Sequence, residues 1–227
     1  MKTILAGLLF CLVSLTSRSQ TATNDTTKYS TGHYRQRTAA FKNEPVITGR
    51  VIFLGNSITE FGDWQKLLND PSVINRGIAG DNTYGVLARL KDITTRKPAK
   101  LFIEVGINDF SLHDSLGVIV KNMLTIVKQV HKASPATAVY LMGILPTNDN
   151  VKNDYPFALN KGRETTIIND RLAGAATMNN YIYIGLGSLL KDKNGKLDTK
   201  YAEPDGIHLN DKGYQLWINF LRSKKYI

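Results

Sequence analysis

Phe53-Leu-Gly-Asn-Ser-Ile-Thr-Glu60, FLGNSITE, follows directly on Val51-Ile52. An apolar, strand-like run stops at a glycine, and a serine stands two residues later. Gly and Asn are turn residues and Ser caps helices, so the stretch can be a plain strand-to-helix turn. It can equally hold Ser57 as a nucleophile at the end of a central strand. The choice depends on what the rest of the chain brings to the same place.

Outward from this stretch, short apolar runs alternate with longer helical patterns. Strands are expected at Val51–Leu54, Val73–Asn75, Leu101–Val105, Val139–Met142 and Tyr181–Ile184. Helices are expected at Phe61–Leu68, Tyr84–Asp92, Leu116–Lys132, Leu159–Met178 and Asp211–Arg222. In Leu116–Lys132, Val120, Met123, Leu124, Val127 and Val130 recur at helical spacing. The strands are nearly continuous apolar runs, as a parallel sheet covered on both faces requires. Such an alternation gives a doubly wound α/β sandwich, with helices on both sides of the sheet.

In that architecture the working loops lie at the carboxyl ends of the strands. The strand ends carry Gly55-Asn56-Ser57, then Asn75-Arg-Gly-Ile-Ala-Gly80-Asp81, Gly106-Ile-Asn108-Asp109 and Gly143-Ile-Leu-Pro146. Asp205-Gly-Ile-His208 follows the last strand after a long loop. One edge of the sheet thus collects the polar clusters.

A serine hydroxyl is a weak nucleophile until a base takes its proton. The chain has four histidines. His33 lies near the start, His131 at the end of an exposed helix and His113 beyond the third strand. His208 has Asp205 three residues before it, with a glycine between, so a loop can fold the carboxylate onto one ring nitrogen. The other nitrogen is then free for Ser57, and the carboxylate sets the tautomer and stabilises the imidazolium. Asp205 shaping a turn and His208 capping the following helix is the plainer alternative. A metal site needs three or four ligands, and no other His/Asp/Glu spacing supplies them. Donors for a tetrahedral oxyanion are at hand in the Ser57 N–H, the Gly80 N–H and the Asn108 side-chain amide.

These residues resemble the SGNH hydrolases, also called GDSL-type esterases and lipases. Its four blocks are similar to Gly55-Asn56-Ser57-Ile58, Asn75 to Asp81, Gly106 to Asp109, and Asp205 to His208, in the family's order. The flanks Tyr84-Gly-Val-Leu-Ala-Arg-Leu90 and His208-Leu-Asn-Asp-Lys-Gly-Tyr214 are also similar. The second and third blocks look closest to the platelet-activating-factor acetylhydrolase catalytic subunits and bacterial carbohydrate acetylesterases. The resemblance implies a flavodoxin-like three-layer α/β/α sandwich with about five parallel strands. It implies Ser57 as nucleophile, His208 as base with Asp205 as its partner, and an oxyanion hole of Ser57, Gly80 and Asn108. No metal or organic cofactor is implied. Ser57 is not in a Gly-x-Ser-x-Gly elbow, which disfavours the α/β-hydrolase fold. Asn56 stands where the family often has Asp; this keeps size and hydrogen bonding but removes a charge.

The expected activity is that of a secreted serine esterase removing a small acyl group, acetyl by preference, from a carbohydrate. A lipid acylhydrolase or lysophospholipase is the alternative, and a non-catalytic glycan-binding protein on the same fold a further one. Between Pro146 and Asn160 the chain is polar, ending in Tyr155 and Phe157. That suits a sugar better than an acyl chain.

Length and composition fit one domain. The 227 residues suit a single sizeable α/β unit, and 42% hydrophobic with 21% charged residues is ordinary for a globular protein. Residues 1–19 are expected to be a secretory signal peptide: Lys2, an apolar run from Ile4 to Leu15, then Ser17-Arg-Ser19 before Gln20. The run is too short to span a bilayer, so no integral span remains after cleavage. Residues 20–45 read as a flexible lead-in with a short helix at Tyr34–Phe41, and 46–227 as the hydrolase domain. Cleavage removes the single cysteine, Cys11. The mature chain is therefore held by its core, without disulfides. Phe10 before Cys11 is bulky where lipidation wants a small residue. The formal charge of +10 is scattered, with no aromatic-basic stripe, which argues against a nucleic-acid partner.

Overall fold

The computed structural model describes residues 25–227. The expected signal peptide and the first residues of the lead-in lie outside the described residues.

Among the described residues the first long helix is α1 (Gly32–Asn43); β1 (Val51–Gly55) and two short helices, α2 (Ser57–Glu60) and α3 (Trp64–Leu68), follow it. Next come β2 (Ile74–Gly77), α4 (Thr83–Thr95), β3 (Lys100–Glu104), α5 (Leu116–Ala133) and β4 (Ala138–Met142). The last third holds α6 (Val151–Asp154), α7 (Gly162–Ala175), β5 (Ile182–Ile184) and α8 (Asp211–Ser223). The five strands are all parallel, in the order β2-β1-β3-β4-β5. This is the flavodoxin-like order, whose ligand crevice lies outside the carboxyl ends of β1 and β3, where the winding reverses.

Both faces of the sheet are covered, which is why the strands read as unbroken apolar runs. Ile52, Leu54, Leu101, Ile103, Val139 and Leu141 point to one face. There they meet α4, α5 and α7 through Val86, Ile93, Met123, Val127, Ile168 and Leu172. On α5 the stripe is centred on Ile119, Met123, Ile126, Val127 and Val130, while Val120 and Leu124 sit at its edge. The other face carries an aromatic row in register: Phe53, Phe102 and Tyr140, with centroids 4.8 and 4.5 Å apart. Trp64 stacks on Phe53 at 3.9 Å, and Trp217 of α8 meets Trp64 edge-on at 4.8 Å.

Three boundaries differ from the sequence expectation for local reasons. The helix expected over Phe61–Leu68 starts only at Trp64. α2 already ends at Glu60, and Asp63 restarts α3 as its N-cap by accepting from the Lys66 N–H at 3.3 Å. The long pattern over Leu159–Met178 begins only at Gly162, because Asn160 takes a left-handed φ of 58°. In the segment expected to be a loose lead-in, a short 3-10 turn spans Thr26–Lys28, Tyr29 is buried, and Asn82 donates to the Lys28 carbonyl at 2.7 Å. Among the described residues no helix is long and apolar enough to cross a membrane.

Candidate active site

Strand β1 delivers Ser57. Its ladder ends at Gly55, and Asn56 caps α2 by accepting from the Ile58 N–H at 2.8 Å. Ser57 is the first residue of that helix, so its N–H has no carbonyl partner inside it. α2 is a single turn, too short for much macrodipole; what it offers an anion is an unpaired N–H.

The opposite end of the chain delivers the base. Nε2 of His208 lies 2.8 Å from the Ser57 Oγ, across 151 residues of sequence. Nδ1 of His208 is 2.5 Å from Oδ2 of Asp205. The other oxygen, Oδ1, accepts the Ile207 and His208 backbone N–H groups, each at 3.0 Å. The turn is therefore closed on its own carboxylate, and the ring has one orientation. Gly206 permits this turn, with a φ of 78° and the Asn148 side chain pressed against it. Burial raises the Asp205 pKa, but the hydrogen bonds from His208 and Ile207 outweigh it and hold the carboxyl below its usual range. The imidazole lies between Phe61 and Tyr155, with centroids 5.0 and 5.5 Å away. The other histidines are engaged elsewhere or remote: His33 with Glu60, His131 with the Asn180 carbonyl, and His113 at a left-handed turn after the third strand.

Gly80 and Asn108 lie on the loops after β2 and β3, on either side of β1. Gly80 adopts a φ of 79°, and its N–H has no hydrogen-bond partner among the described residues. Asn108 donates to the Asp81 carbonyl at 2.8 Å, which fixes the amide and leaves its second N–H available. Sequence reasoning missed the framework beneath these donors. Asp81 is fully buried and pairs with Arg89 at 2.8 Å; Arg89 in turn donates to the Gly55 carbonyl at 3.0 Å. Burial pushes Asp81 up to about 6, against the pull of that guanidinium. Asp109 accepts from the Thr83 backbone at 3.1 Å and from its hydroxyl at 2.5 Å, so it pins the start of α4. The available signal was an arginine inside an apolar helical stripe and acids inside otherwise apolar loops.

A serine, a histidine and an aspartate in hydrogen-bonded series, flanked by free N–H donors, is the arrangement of an acyl-transfer site. Residues 53–216 match the GDSL-like lipase/acylhydrolase family model. The chain belongs to this family.

Its relatives are distant. The alpha1 subunit of rat platelet-activating factor acetylhydrolase IB is 29% identical over 102 residues, which is 42% of this chain and 43% of that protein. The chain thus matches less than half the length of that relative. A GDSL-like lipase from Bacteroides thetaiotaomicron superposes with a TM-score of 0.72 at 22% identity, covering 86% of this chain and 98% of that one. An acetylxylan esterase from Geobacillus stearothermophilus gives 0.60 at 18% identity, covering 78% and 95%. At these identities the two structures speak for the fold alone.

The family's GDSL signature has Asp where this chain has Asn56, and the interior of this member gives a reason for the change. Glu104, the last residue of β3, pairs in register with Gly55 and is buried. Among the described residues its oxygens make no well-formed hydrogen bond, and the neighbouring Asn56 amide offers only a loose one. Burial pushes its pKa up to about 8, and the Asn56 amide draws it only partly back. A second carboxylate at position 56 would face this one at short range. The sign of the linkage follows. A proton is held in the folded state from the ordinary value of 4.5 up to about 8, so this group costs stability as pH rises across that window. Glu104→Gln is expected to raise thermal stability at pH 8 by an amount on the order of a few kcal/mol and to leave stability near pH 4 unchanged. Melting curves of both proteins from pH 4 to 9 check this; parallel curves would contradict it.

A cleft of about 980 Å³ opens beside His208, lined by Phe61, Asn150, Asp154, Glu203 and Asp205 among others. Its walls come from α3, from α6 and from the turn before α8 with the first turns of that helix, and Phe61 is half exposed at its rim.

Proposed function

We propose that this protein is a serine esterase that removes a small acyl group, acetyl by preference, from a carbohydrate. The observation that carries the reading is the unbroken series from the Ser57 Oγ through His208 to Asp205. Ser57 attacks the ester carbonyl while His208 Nε2 takes its proton, and Asp205 stabilises the imidazolium that forms. The developing oxyanion is received by the N–H groups of Ser57 and Gly80 and by the Asn108 amide. Collapse expels the sugar hydroxyl, protonated by His208, and leaves an acyl-enzyme. A water activated by His208 then releases the acid and restores Ser57. No step calls for a metal or an organic cofactor.

A polar substrate fits the cleft. Asn150, Asp154 and Glu203 offer hydrogen-bonding groups, and Phe61 and Tyr155 offer flat faces beside the histidine. The solved relative with the acetylxylan esterase activity lends the same direction. Residues 1–19 support export, with Gln20 as the mature start.

The test uses the exported protein, whose intact mass checks the start at Gln20. Acetate release is followed from para-nitrophenyl acetate and from an O-acetylated xylo-oligosaccharide, and rates are compared on longer nitrophenyl esters. Release from both substrates, falling about tenfold or more between acetyl and octanoyl, is the expected result. A preference for the longer chains would replace the carbohydrate reading with a lipid acylhydrolase. Binding of the acetylated glycan without any acetate release would make it a binding protein.

A further inference from the structure

We propose that Glu60 is a positioning residue that locks the nucleophile's helix to the oxyanion loop, and that helix α1 holds it in place. The inference rests on the esterase reading of the Ser57 site.

Glu60 is the last residue of α2, three after Ser57. Its carboxylate turns away from the helix and accepts the Ala79 backbone N–H at 2.5 Å through Oε2. Ala79 immediately precedes Gly80, whose free N–H is a proposed oxyanion donor. One carboxylate thus joins the element that carries the nucleophile to the loop that carries the donor. Asn75 adds to the same joint: its amide donates to the carbonyls of Thr59, Glu60 and Gly62 at 3.0–3.1 Å, and its own oxygen receives the Gly77 N–H at 2.8 Å.

A carboxylate with one backbone partner can still swing. Here the remaining contacts come from α1, which precedes the part of the chain that matches the family model. His33 Nε2 lies 2.9 Å from Oε2 of Glu60, and Arg37 Nε lies 3.1 Å from Oε1. The same helix also holds the loop and both elements that it joins, β2 and α4. Arg37 donates to the Gly77 carbonyl at 3.3 Å, the Tyr34 hydroxyl donates to the Gly85 carbonyl at 2.9 Å, and Tyr34 and Phe41 pack with Ile78. Two cationic or polar groups, one acid and one backbone N–H therefore converge beside the site without touching the reacting atoms. Their effect on the chemistry is geometric. Oxyanion donors work only when fixed where the charge develops, and a misplacement of about 1 Å costs on the order of 100-fold.

The experiment compares wild type, Glu60→Ala, Glu60→Gln and the double variant His33→Ala/Arg37→Ala on para-nitrophenyl acetate, with a melting curve for each. Glu60→Ala is expected to lower kcat at least about tenfold with KM within about twofold, since donor placement acts on the transition state. Glu60→Gln keeps an acceptor for the Ala79 N–H but turns an amide NH2 toward Arg37, so its kcat should fall between those of wild type and Glu60→Ala, close to that of the double variant. The double variant changes only groups on α1 and should lower kcat by about threefold or more at an unchanged KM. If Glu60→Ala fails to fold, the double variant decides. Folded variants with wild-type kcat would overturn the proposal, as would a loss confined to the melting temperature. An inactive wild type would instead strike the esterase reading itself.

Discussion

Replacing Ser57 by alanine is expected to lower kcat on para-nitrophenyl acetate by about 10⁵-fold and to abolish covalent labelling by a fluorophosphonate. The size follows from what is removed. Ser57 Oγ is the atom that His208 Nε2 reaches at 2.8 Å, and without it no acyl-enzyme can form. The change is small, and the residue makes its helix through its backbone, so the fold should survive. Rate on the ester and labelling of the intact protein are measured side by side. Labelling that persists at another serine would remove Ser57 from the nucleophile's place. A large residual rate with labelling gone would mean that hydrolysis does not pass through the acyl-enzyme.

Asp205→Asn is expected to lower kcat by about 10³-fold with KM little changed. Asparagine retains an oxygen for the Ile207 and His208 backbone N–H groups, which are what the turn itself needs. It replaces the carboxylate oxygen that faces Nδ1 of His208 with an N–H donor. The ring is then driven to the tautomer that presents a proton, instead of a lone pair, to Ser57. The charge that stabilised the imidazolium is lost as well. The measurement is kcat and KM on the nitrophenyl ester, with the rate of fluorophosphonate labelling as a second reading. Both rates should fall together. An unchanged kcat would reduce Asp205 to a turn residue. The pH dependence has a definite sign too. The Asp205 carboxyl is held below its ordinary range in the folded protein. Its contribution is therefore present above that range and is lost as pH falls through the lowered value.

These two predictions concern residues that the linear chain announces. Ser57 ends an apolar run at a Gly-Asn turn, and Asp205 and His208 share a glycine-containing turn. Such features are written locally: strand, turn and cap each depend on a few neighbouring residues. The order of the elements is local in the same sense, so the parallel sheet and its loaded edge could be read in advance. Helix ends were less legible. Within Phe61–Leu68, Gly62-Asp63 is the local signal for a later start, a turn glycine followed by the residue that caps α3.

What only the tertiary structure decided is which distant groups meet. Asn108 could have capped a helix; its amide is instead spent in part on the Asp81 carbonyl of the neighbouring loop. Phe61 and Tyr155 come from separate loops to flank one imidazole. Glu60, an ordinary acid at a helix end, gains its meaning from Ala79, His33 and Arg37. Glu104 reads as a polar end to an apolar strand until the covered sheet shows that no water reaches it. The chain by itself determined the sheet, the turns and the residue types at one edge, because those follow from periodicity and short-range hydrogen bonding. The pairing of those residues, and the pKa of each buried acid, was set by packing, since burial and long-range contact exist only once both faces of the sheet are closed.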